Sequence, residues 1–407
     1  MSHRSRAVLA IACGATFLAS CTSTGGASTS KSTTASTGAT GSSSSTQSTT
    51  ASESPSATTD PAQTCATRIA DSLSPSEQAA QLLMVGMMSD AGVDSVTDAV
   101  SRSGVGGVIL LGGWNGKSAV SAATKQLDAL AQGPGLFLAA DQEGGQVQQL
   151  KGAGFSTIPS AQNQAAMASD LRAAATTWGA ELRAAGINVN LAPDADTVPA
   201  DIGTANGPIG RYHREYGATP EAVIPPMTAF LKGMQDAGVM TSVKHFPGIG
   251  RISGNTDTAS TGISDTTATV DDPHLKPFVA GIEAGSDFVM ISSAYYPKIA
   301  AAQALFAPEI VTDLLRGDLG FKGVVITDDV GAAAAVRDVP VGDRATRFIA
   351  AGGDVVLTAV PADVPVMVKA ITHKAANDPV FAEQTRDALI RVLTLKARRA
   401  LLNCSGG

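Results

Sequence analysis

The feature that most constrains the fold is a regular alternation, from residue 83 onward, of short apolar runs with longer alanine-rich stretches. The short runs predict buried strands, and the stretches between them have helical periodicity. Eight strands are predicted, at residues 83–85, 107–111, 136–140, 188–192, 239–244, 287–291, 323–327 and 354–358. Because strands that alternate with helices pair in parallel, this pattern predicts a (β/α)8, TIM-type barrel; a doubly wound sheet is the alternative.

The helical stretches fit the same order. Residues 74–77, Ser-Pro-Ser-Glu, form a capping box with proline at the first helical position, so a helix is predicted to run from there toward Leu83. Further helices are predicted at residues 166–185, 220–237, 277–284, 308–317 and 387–402. Residues 65–407 are long for one domain, but barrels of this kind reach such a length, so a single domain is expected.

The first 21 residues have the layout of a secretion signal. Arg4 and Arg6 precede an apolar core, residues 7–18, that is short for a membrane span. The segment ends in Leu-Ala-Ser-Cys, which resembles a bacterial lipobox, where the cysteine, here Cys21, is lipidated and becomes the mature N-terminus. A plain signal peptide with an incidental cysteine is the alternative.

Residues 22–64 consist mostly of Ser, Thr, Ala and Gly and have nothing to bury, so they predict a disordered linker. With Cys21 lipidated, the protein is expected to be exported and anchored to the outer face of the cell membrane. Cys65 and Cys404 then remain at the two ends of the folded part. In an exported protein two such cysteines are expected to form a disulfide, and two free thiols are the alternative.

Charge and motifs exclude several classes of partner. The formal net charge is −7, with no basic cluster beyond the signal, which argues against nucleic acid; contact with a membrane is expected through the lipid anchor only. The glycine-rich segment at residues 104–107 lacks the third glycine of a dinucleotide site. The sequence has no phosphate loop and no metal-spaced His/Cys set, so no cofactor or metal is predicted, and a monomer is expected.

Polar side chains follow four of the predicted strands. They are Asp141 and Glu143 after the third, Asp194 and Asp196 after the fourth, Lys244 and His245 after the fifth, and Asp328 and Asp329 after the seventh. In a barrel these residues share one rim. Carboxylates, one ammonium and one imidazole suit a polyhydroxylated ligand, with one carboxylate free to act as a nucleophile. Each residue alone could be a solvated rim group or a helix cap, Asp194 and Asp329 above all.

Four segments carry a resemblance to a known family. They are residues 138–145, residues 186–193 with Asp196, residues 244–248 and residues 320–328. Together they resemble glycoside hydrolase family 3, and in particular the single-barrel β-N-acetylglucosaminidases of the NagZ type, some of which are surface lipoproteins. The resemblance covers nearly everything after Cys65. It leaves no second domain, which disfavours the two-domain β-glucosidases of the family.

The resemblance implies a role for each matching residue. Asp328 is expected to be the nucleophile, which forms a covalent glycosyl-enzyme that water resolves with retention. Asp141, Lys244 and His245 are expected to hold sugar hydroxyls, and Arg214 falls where the family places a substrate arginine. For His245 a buried structural role is the alternative.

The chain departs from the family at the acid/base. The NagZ branch places a histidine in the loop after the Lys-His-Phe-Pro-Gly motif, whereas the histidines here are His3, His213, His245, His274 and His373. Asp257 occupies the place and is expected to act as general acid with a raised pKa; Asp265 or inefficient protonation are the alternatives. Gln146 and Gln149 replace two arginines of the family, which argues against an acidic aglycone such as a muramic acid.

The expected function is a retaining exo-β-N-acetylglucosaminidase that acts on cell-wall (peptidoglycan) fragments. The alternative is a sugar-binding surface lipoprotein that has kept the pocket and lost the chemistry. The retained Asp328 favours the enzyme. A structural or adhesive lipoprotein would leave the four rim segments unexplained.

Overall fold

The computed structural model of the protein describes residues 60–405. The predicted signal peptide, the lipidation at Cys21 and the linker as far as residue 59 lie outside the described residues. Within residues 60–405, no helix combines the length and the apolar character that a membrane crossing requires.

Eight parallel strands form the centre of the described chain. They are β1 (Leu83–Met88), β2 (Gly107–Leu111), β3 (Phe137–Ala140), β4 (Val189–Asn190), β5 (Met240–Phe246), β6 (Phe288–Ile291), β7 (Val324–Thr327) and β8 (Val356–Thr358). From β1 to β7 each strand pairs with the next, and β1 also pairs with β8. A parallel bridge between Ile326 and Val355 joins β7 to β8 and all but completes the ring. The predicted strands and barrel are confirmed, and the doubly wound alternative is wrong.

The barrel strands are buried on both faces, which explains why they read as short apolar runs rather than as alternating patterns. Every residue of β3 and β6 is buried. The rings of Phe137 and Phe288, at the starts of these strands, meet edge to face with their centroids 5.3 Å apart. The interior of the barrel is therefore a packed core, and in barrels of this kind the active site lies at one end of the strands.

Helices surround the strands. The α-helices of the described chain are Pro61–Ser72, Pro75–Ala80, Lys117–Leu130, Ala161–Ala165, Leu171–Ala184, Pro220–Asp236, Lys276–Glu283, Val341–Ala350, Asp363–Asn377 and Pro379–Arg398. Two π-helical segments are Ala99–Ser103 and Glu309–Asp318, the second where a helix is predicted for residues 308–317. Short strand pairs, made by Trp114–Asn115 with Leu150–Lys151 and by Gln142–Gly144 with Val147–Gln148, extend beyond β2 and β3.

The first helix was not predicted, and the last helix begins earlier than the sequence predicts; an aspartate caps each of them. Asp60 caps Pro61–Ser72, so residues 61–64, assigned to the linker, are helical. Asp378 caps Pro379–Arg398, which moves the start of the last helix well ahead of the predicted residue 387. In both cases proline at the first helical position follows the cap.

The two ends of the folded part are joined covalently. The Sγ atoms of Cys65 and Cys404 lie 2.01 Å apart and form a disulfide. The predicted pairing is confirmed, and the alternative of two free thiols is wrong. The disulfide links the first helix to the segment after the last helix, and these helices also contact each other through the ion pair of Arg398 with Asp60 at 2.6 Å.

Candidate active site

A cavity of about 240 Å³ lies at the carboxyl ends of the barrel strands, where the sequence predicts the site. Four carboxylate side chains line it, those of Asp141, Asp257, Asp328 and Asp329. Its apolar lining is Ile109, Leu111, Leu191, Met290, Ala332, Ala333, Leu357 and Ala359. The structure thus brings together residues from the ends of β3 and β7 and from the loop after β5.

Lys244, near the end of β5, lies directly behind Asp141. The ammonium is buried and contacts Oδ1 of Asp141 at 2.6 Å and Oε1 of Glu143 at 2.7 Å. Burial works against its charged form, but the two carboxylates outweigh burial and raise the pKa of Lys244 above its ordinary value. Lys244 therefore stays charged and fixes the carboxylate of Asp141 at the cavity wall.

Glu143 connects Lys244 to Arg214. Arg214 donates from Nε and Nη2 to the two carboxylate oxygens of Glu143, at 2.9 and 2.8 Å. Burial works to raise the pKa of Glu143, but the charges of Arg214 and Lys244 prevail and hold that pKa well below its usual range. The sequence places Glu143 on the rim of the barrel but assigns it no role. Its position two residues after Asp141, on the same face of an extended chain, was the available signal.

His245 is held from both sides by protein groups. Its Nδ1 lies 2.8 Å from Oδ2 of Asp196, and its Nε2 lies 3.3 Å from Nη2 of Arg214. Because the carboxylate accepts and the guanidinium donates, the ring carries its proton on Nδ1 and accepts at Nε2. Asp196 also accepts bonds from the backbone N–H groups of His245 and Ile249. Asp196 is thus a second rim residue to which the sequence assigned no role.

Arg214 and His245 do not line the cavity; they lie one layer behind it. A direct sugar contact by either of them stays a prediction. The hydrogen bonds of His245 match the alternative of a buried structural role, in which the imidazole positions Arg214, and Arg214 in turn orients Glu143. Of the predicted sugar contacts, Asp141 reaches the cavity directly, and Lys244 acts on it through Asp141.

Asp194 is the other carboxyl group of this buried cluster. Its Oδ1 accepts from the N–H of Asp196 at 2.8 Å, and its Oδ2 lies 3.7 Å from Nη2 of Arg214. Burial, with the neighbouring charge of Asp196, raises the pKa of Asp194 well above its usual value. Ligand atoms of Asp194, Asp196 and His245 come within 4.8 Å of one another. The hydrogen bonds of Asp196 and His245 already use these atoms, and Arg214 supplies the cation, so the trio does not fit a metal ion.

The two aspartates after β7 have different tasks. Asp329 accepts bonds from the N–H groups of Gly331, Ala332 and Ala359 at 2.7–3.0 Å, so it shapes the turn, as expected for a helix-cap type of residue. Asp328 accepts one bond, from the N–H of Asp329 to Oδ1 at 2.8 Å. Within residues 60–405 its Oδ2 has no hydrogen-bond donor, which leaves one carboxylate oxygen of Asp328 available to a ligand.

The loop after β5 brings Asp257 to the mouth of the cavity. Backbone bonds from Ala334 N–H to Asp257 C=O at 2.9 Å and from Ala335 N–H to Thr256 C=O at 3.0 Å tie this loop to the segment after β7. Solvent still reaches the Asp257 side chain at the mouth. Desolvation by the surrounding loops and then repulsion from Asp328 raise the pKa of Asp257 to about 6. This pKa is the one that a general acid at near-neutral pH needs.

Asp265, the alternative acid, is committed elsewhere. It contacts Nε of Arg251 at 2.7 Å and accepts bonds from the N–H groups of Thr267 and Ala268. Despite burial, these contacts lower the pKa of Asp265, and the residue does not line the cavity. These contacts disfavour Asp265 as the acid, because a lowered pKa and occupied acceptor oxygens leave no proton to donate.

Comparison with known proteins agrees with this geometry. The model of the glycosyl hydrolase family 3 N-terminal domain matches residues 75–395. A β-hexosaminidase of Stenotrophomonas maltophilia K279a is 34% identical over 265 residues, 62% of this chain and 76% of that protein. The crystal structure of β-N-acetylhexosaminidase from Beutenbergia cavernae DSM 12333 is 48% identical, with a TM-score of 0.77, and the match covers 80% of this chain and 98% of that one. A family 3 β-N-acetylglucosaminidase from Paenibacillus sp. FPU-7 is 29% identical, with a TM-score of 0.71, over 81% of this chain and 63% of that one.

Proposed function

This chain belongs to glycoside hydrolase family 3, and from that premise we propose that it is a retaining exo-β-N-acetylglucosaminidase of cell-wall fragments. The relatives named as β-hexosaminidases support hydrolysis of N-acetylglucosamine linkages. The observation that carries the mechanism is the single cavity in which a free oxygen of Asp328 and the carboxyl group of Asp257 meet. A nucleophile and a proton donor in one cavity are the two groups that retaining hydrolysis requires.

In the first step Oδ2 of Asp328 attacks the anomeric carbon of the terminal sugar. The bond to the glycosidic oxygen breaks, and the proton of Asp257 passes to that oxygen, so the leaving sugar departs as an alcohol. The product of this step is an ester between Asp328 and the sugar. Asp141, fixed by Lys244 at 2.6 Å, is placed to accept bonds from the sugar hydroxyls, and the aliphatic wall suits the methyl group of the acetamide.

In the second step water replaces Asp328. Ester formation removes the negative charge of Asp328, and with it the repulsion that adds to desolvation in raising the pKa of Asp257. The pKa of Asp257 is then lower than before ester formation, which favours the carboxylate form. This carboxylate takes a proton from the attacking water. Two displacements at the anomeric carbon give a product with the configuration of the substrate.

We test this with 4-nitrophenyl β-N-acetylglucosaminide, following the first-formed sugar by NMR. The expected result is turnover that gives the β-anomer first, and loss of turnover in Asp328→Ala with unchanged folding. An α-anomer formed first, or an Asp328→Ala variant with wild-type rates, overturns the mechanism. Binding of N-acetylglucosamine without turnover by the wild type would instead identify a sugar-binding protein.

We also propose that Cys21 is lipidated and that the enzyme acts at the outer face of the membrane. The lipobox-like residues 18–21 support this proposal, and the disulfide of Cys65 with Cys404 fits an oxidising compartment. Incorporation of labelled fatty acid in cells is expected for the wild type and should be lost in Cys21→Ser. Equal labelling of both, or none of either, overturns the anchor.

A further inference from the structure

The charge around the cavity is one-sided. Four carboxyl groups line it, from Asp141, Asp257, Asp328 and Asp329. Among residues 60–405, no lysine, arginine or histidine joins them in the lining. The remaining lining is aliphatic, so nothing at the cavity wall offsets the negative field that these groups project toward a ligand.

The charge of Arg214 reaches Asp257 and acts to lower its pKa, but the nearby cations offset only part of this field because they are paired with other carboxylates. Lys244 lies between Asp141 and Glu143, and Arg214 forms a two-bond pair with Glu143. Glu143, Asp194 and Asp196 stand behind the cavity with these cations. Even with the carboxyl groups of Asp194 and Asp257 protonated, five carboxylates face two permanent cations. The site as a whole therefore keeps an excess of negative charge.

The leaving sugar has to lie within this field. Asp257 donates its proton to the glycosidic oxygen, and its side chain lies at the solvent-exposed mouth of the cavity. The sugar beyond that oxygen therefore lies at the mouth, next to the carboxylates that line the cavity. A charge on that sugar interacts with all of them at distances shorter than the Debye length of about 10 Å at 0.1 M salt.

We propose that this site selects its substrate by the charge of the leaving sugar: it favours a sugar that carries an ammonium group or no charge, and it disfavours one with a free carboxylate. The inference rests on the proposed function and narrows its substrate class. In cell-wall fragments, the carboxyl group on the sugar next to N-acetylglucosamine would have to be masked as an amide. Partly deacetylated chains of β-linked glucosamine would be favoured.

Two matched pairs of disaccharide substrates, assayed with the full-length protein, isolate the effect of charge on the leaving sugar. The first pair is N-acetylglucosaminyl-muramic acid with a free lactyl carboxylate and its lactyl methylamide, which differ by one charge. The second is N-acetylglucosaminyl-glucosamine and N,N′-diacetylchitobiose, compared at mildly acidic pH, where the amine is protonated. The expected kcat/KM is at least about tenfold higher for the amide than for the carboxylate, and several-fold higher for the amine than for the acetamide. Both ratios should approach one in about 1 M salt, where the Debye length is about 3 Å.

A variant of the mouth sharpens the test. Ala332 lines the cavity, is exposed, and contributes only its backbone N–H to Asp329. Ala332→Lys adds a cation beside the carboxylates, and Ala332→Gln is the neutral control of similar length. The ratio of kcat/KM for the carboxylate to kcat/KM for its amide should rise several-fold in Ala332→Lys. The same ratio should stay at the wild-type value in Ala332→Gln.

The possible outcomes separate the inference from the function on which it rests. The inference is overturned if kcat/KM is equal within each pair, if the carboxylate is preferred over its amide, or if the ratios do not change with salt concentration. In each of these cases the proposed glycosidase activity still stands. If neither muramyl compound is cleaved, the kcat/KM ratio of the second pair, the amine over the acetamide, supports or overturns the inference by the same criteria. If neither chitobiose nor the nitrophenyl glycoside is cleaved, the proposed function fails, and binding constants of sulfur-linked analogues of the two pairs then give the ranking by charge.

Discussion

Both ends of the barrel hold buried charged side chains, but they differ in how those charges are paired. At the amino ends of the strands, Asp354 accepts from Arg316 at 2.5 Å and from Arg391 at 2.7 Å, and Asp287 accepts from Arg399 at 2.5 Å. At the carboxyl ends, Asp328 and Asp257 form no ion pair with any described residue, although the charge of Arg214 reaches Asp257. Fully paired charges hold elements together, whereas carboxylates left without a cation are available to a substrate.

Cavity size alone would point to the wrong end. A cavity of about 730 Å³ lies at the amino ends, against about 240 Å³ at the carboxyl ends. The larger cavity is lined by Arg316, Arg391 and Asp287, and these side chains are committed to the ion pairs of the barrel base. In this barrel, acidic groups without a paired cation therefore identify the candidate active site better than cavity volume does.

The largest effect is expected at the carboxyl end. Replacing Asp328 by Ala removes the nucleophile, and kcat on 4-nitrophenyl β-N-acetylglucosaminide should fall by at least about 10⁴-fold. The free energy of unfolding, measured with urea, should stay within about 0.5 kcal/mol of the wild type, because Asp328 accepts one hydrogen bond only. A large loss of unfolding free energy in Asp328→Ala would instead show that Asp328 has a structural role, like the paired carboxylates at the amino ends.

The opposite pattern is expected at the amino end. Asp354→Asn leaves the guanidinium groups of Arg316 and Arg391 without a buried counter-charge, which should cost about 3–5 kcal/mol of unfolding free energy. Asp71→Asn is the matched control, because its pair with Arg386 is exposed and is worth about 0–1 kcal/mol. The specific activity of the folded Asp354→Asn protein should match the wild type; a loss of kcat at full folding would break the division between the two ends.

A smaller effect is expected for the acid. Asp257→Ala should lower kcat/KM by about 10²–10³-fold on diacetylchitobiose and by less on the nitrophenyl glycoside, whose leaving group needs little protonation. Because Asp257 must be protonated to act, kcat/KM of the wild type should fall as pH rises above about 6, the pKa of that group. If Asp257→Ala lowers kcat/KM equally on both substrates, or if the wild-type pH profile is flat around pH 6, Asp257 is not the general acid.

The smallest effect concerns a buried lysine at the amino end. Lys396 contacts Gln81 Oε1 at 2.7 Å, and burial lowers the pKa of Lys396 to about 7. Below pH 7 both folded and unfolded chains carry this proton, so the folded state bears the full cost of a buried ammonium. That cost is relieved as pH rises from about 7 toward the unfolded pKa of about 10.4.

Lys396→Met should therefore raise the unfolding free energy by about 1–3 kcal/mol at neutral pH, and the gain should shrink toward pH 10. Urea titrations of both proteins at several pH values measure this. Less stability in Lys396→Met at every pH would show that the ammonium is well stabilised, for which the ring of Phe137, 5.0 Å away, is the candidate.

The sequence predicted the barrel because every strand is buried on both faces, and short apolar runs are unambiguous when eight of them recur. Among the described α-helices it missed five, which are Pro61–Ser72, Lys117–Leu130, Ala161–Ala165, Val341–Ala350 and Asp363–Asn377. The last of these has Pro365 in its first turn, which hides its start.

Within the site, the residues that directly follow strands were predictable, because parallel strands bring their carboxyl ends to one rim. Asp141, Lys244 and Asp328 are of this kind. Glu143 and Asp196 were not assigned, because their partners Arg214 and His245 lie 71 and 49 residues further along the chain. Such pairings depend on the register between strands, which local sequence does not encode. The raised pKa of Asp257 likewise depends on a loop packing against the segment after β7.

The proposed mechanism requires that Asp328 form a covalent bond with the sugar. Rapid-quench mass spectrometry of Asp257→Ala with an activated β-N-acetylglucosaminide tests it directly, because that variant lacks the base for the second step and should accumulate the ester. An added N-acetylhexosaminyl mass is expected on the peptide that contains Asp328. Product release with no adduct, or an adduct on a peptide that lacks Asp328, would contradict it.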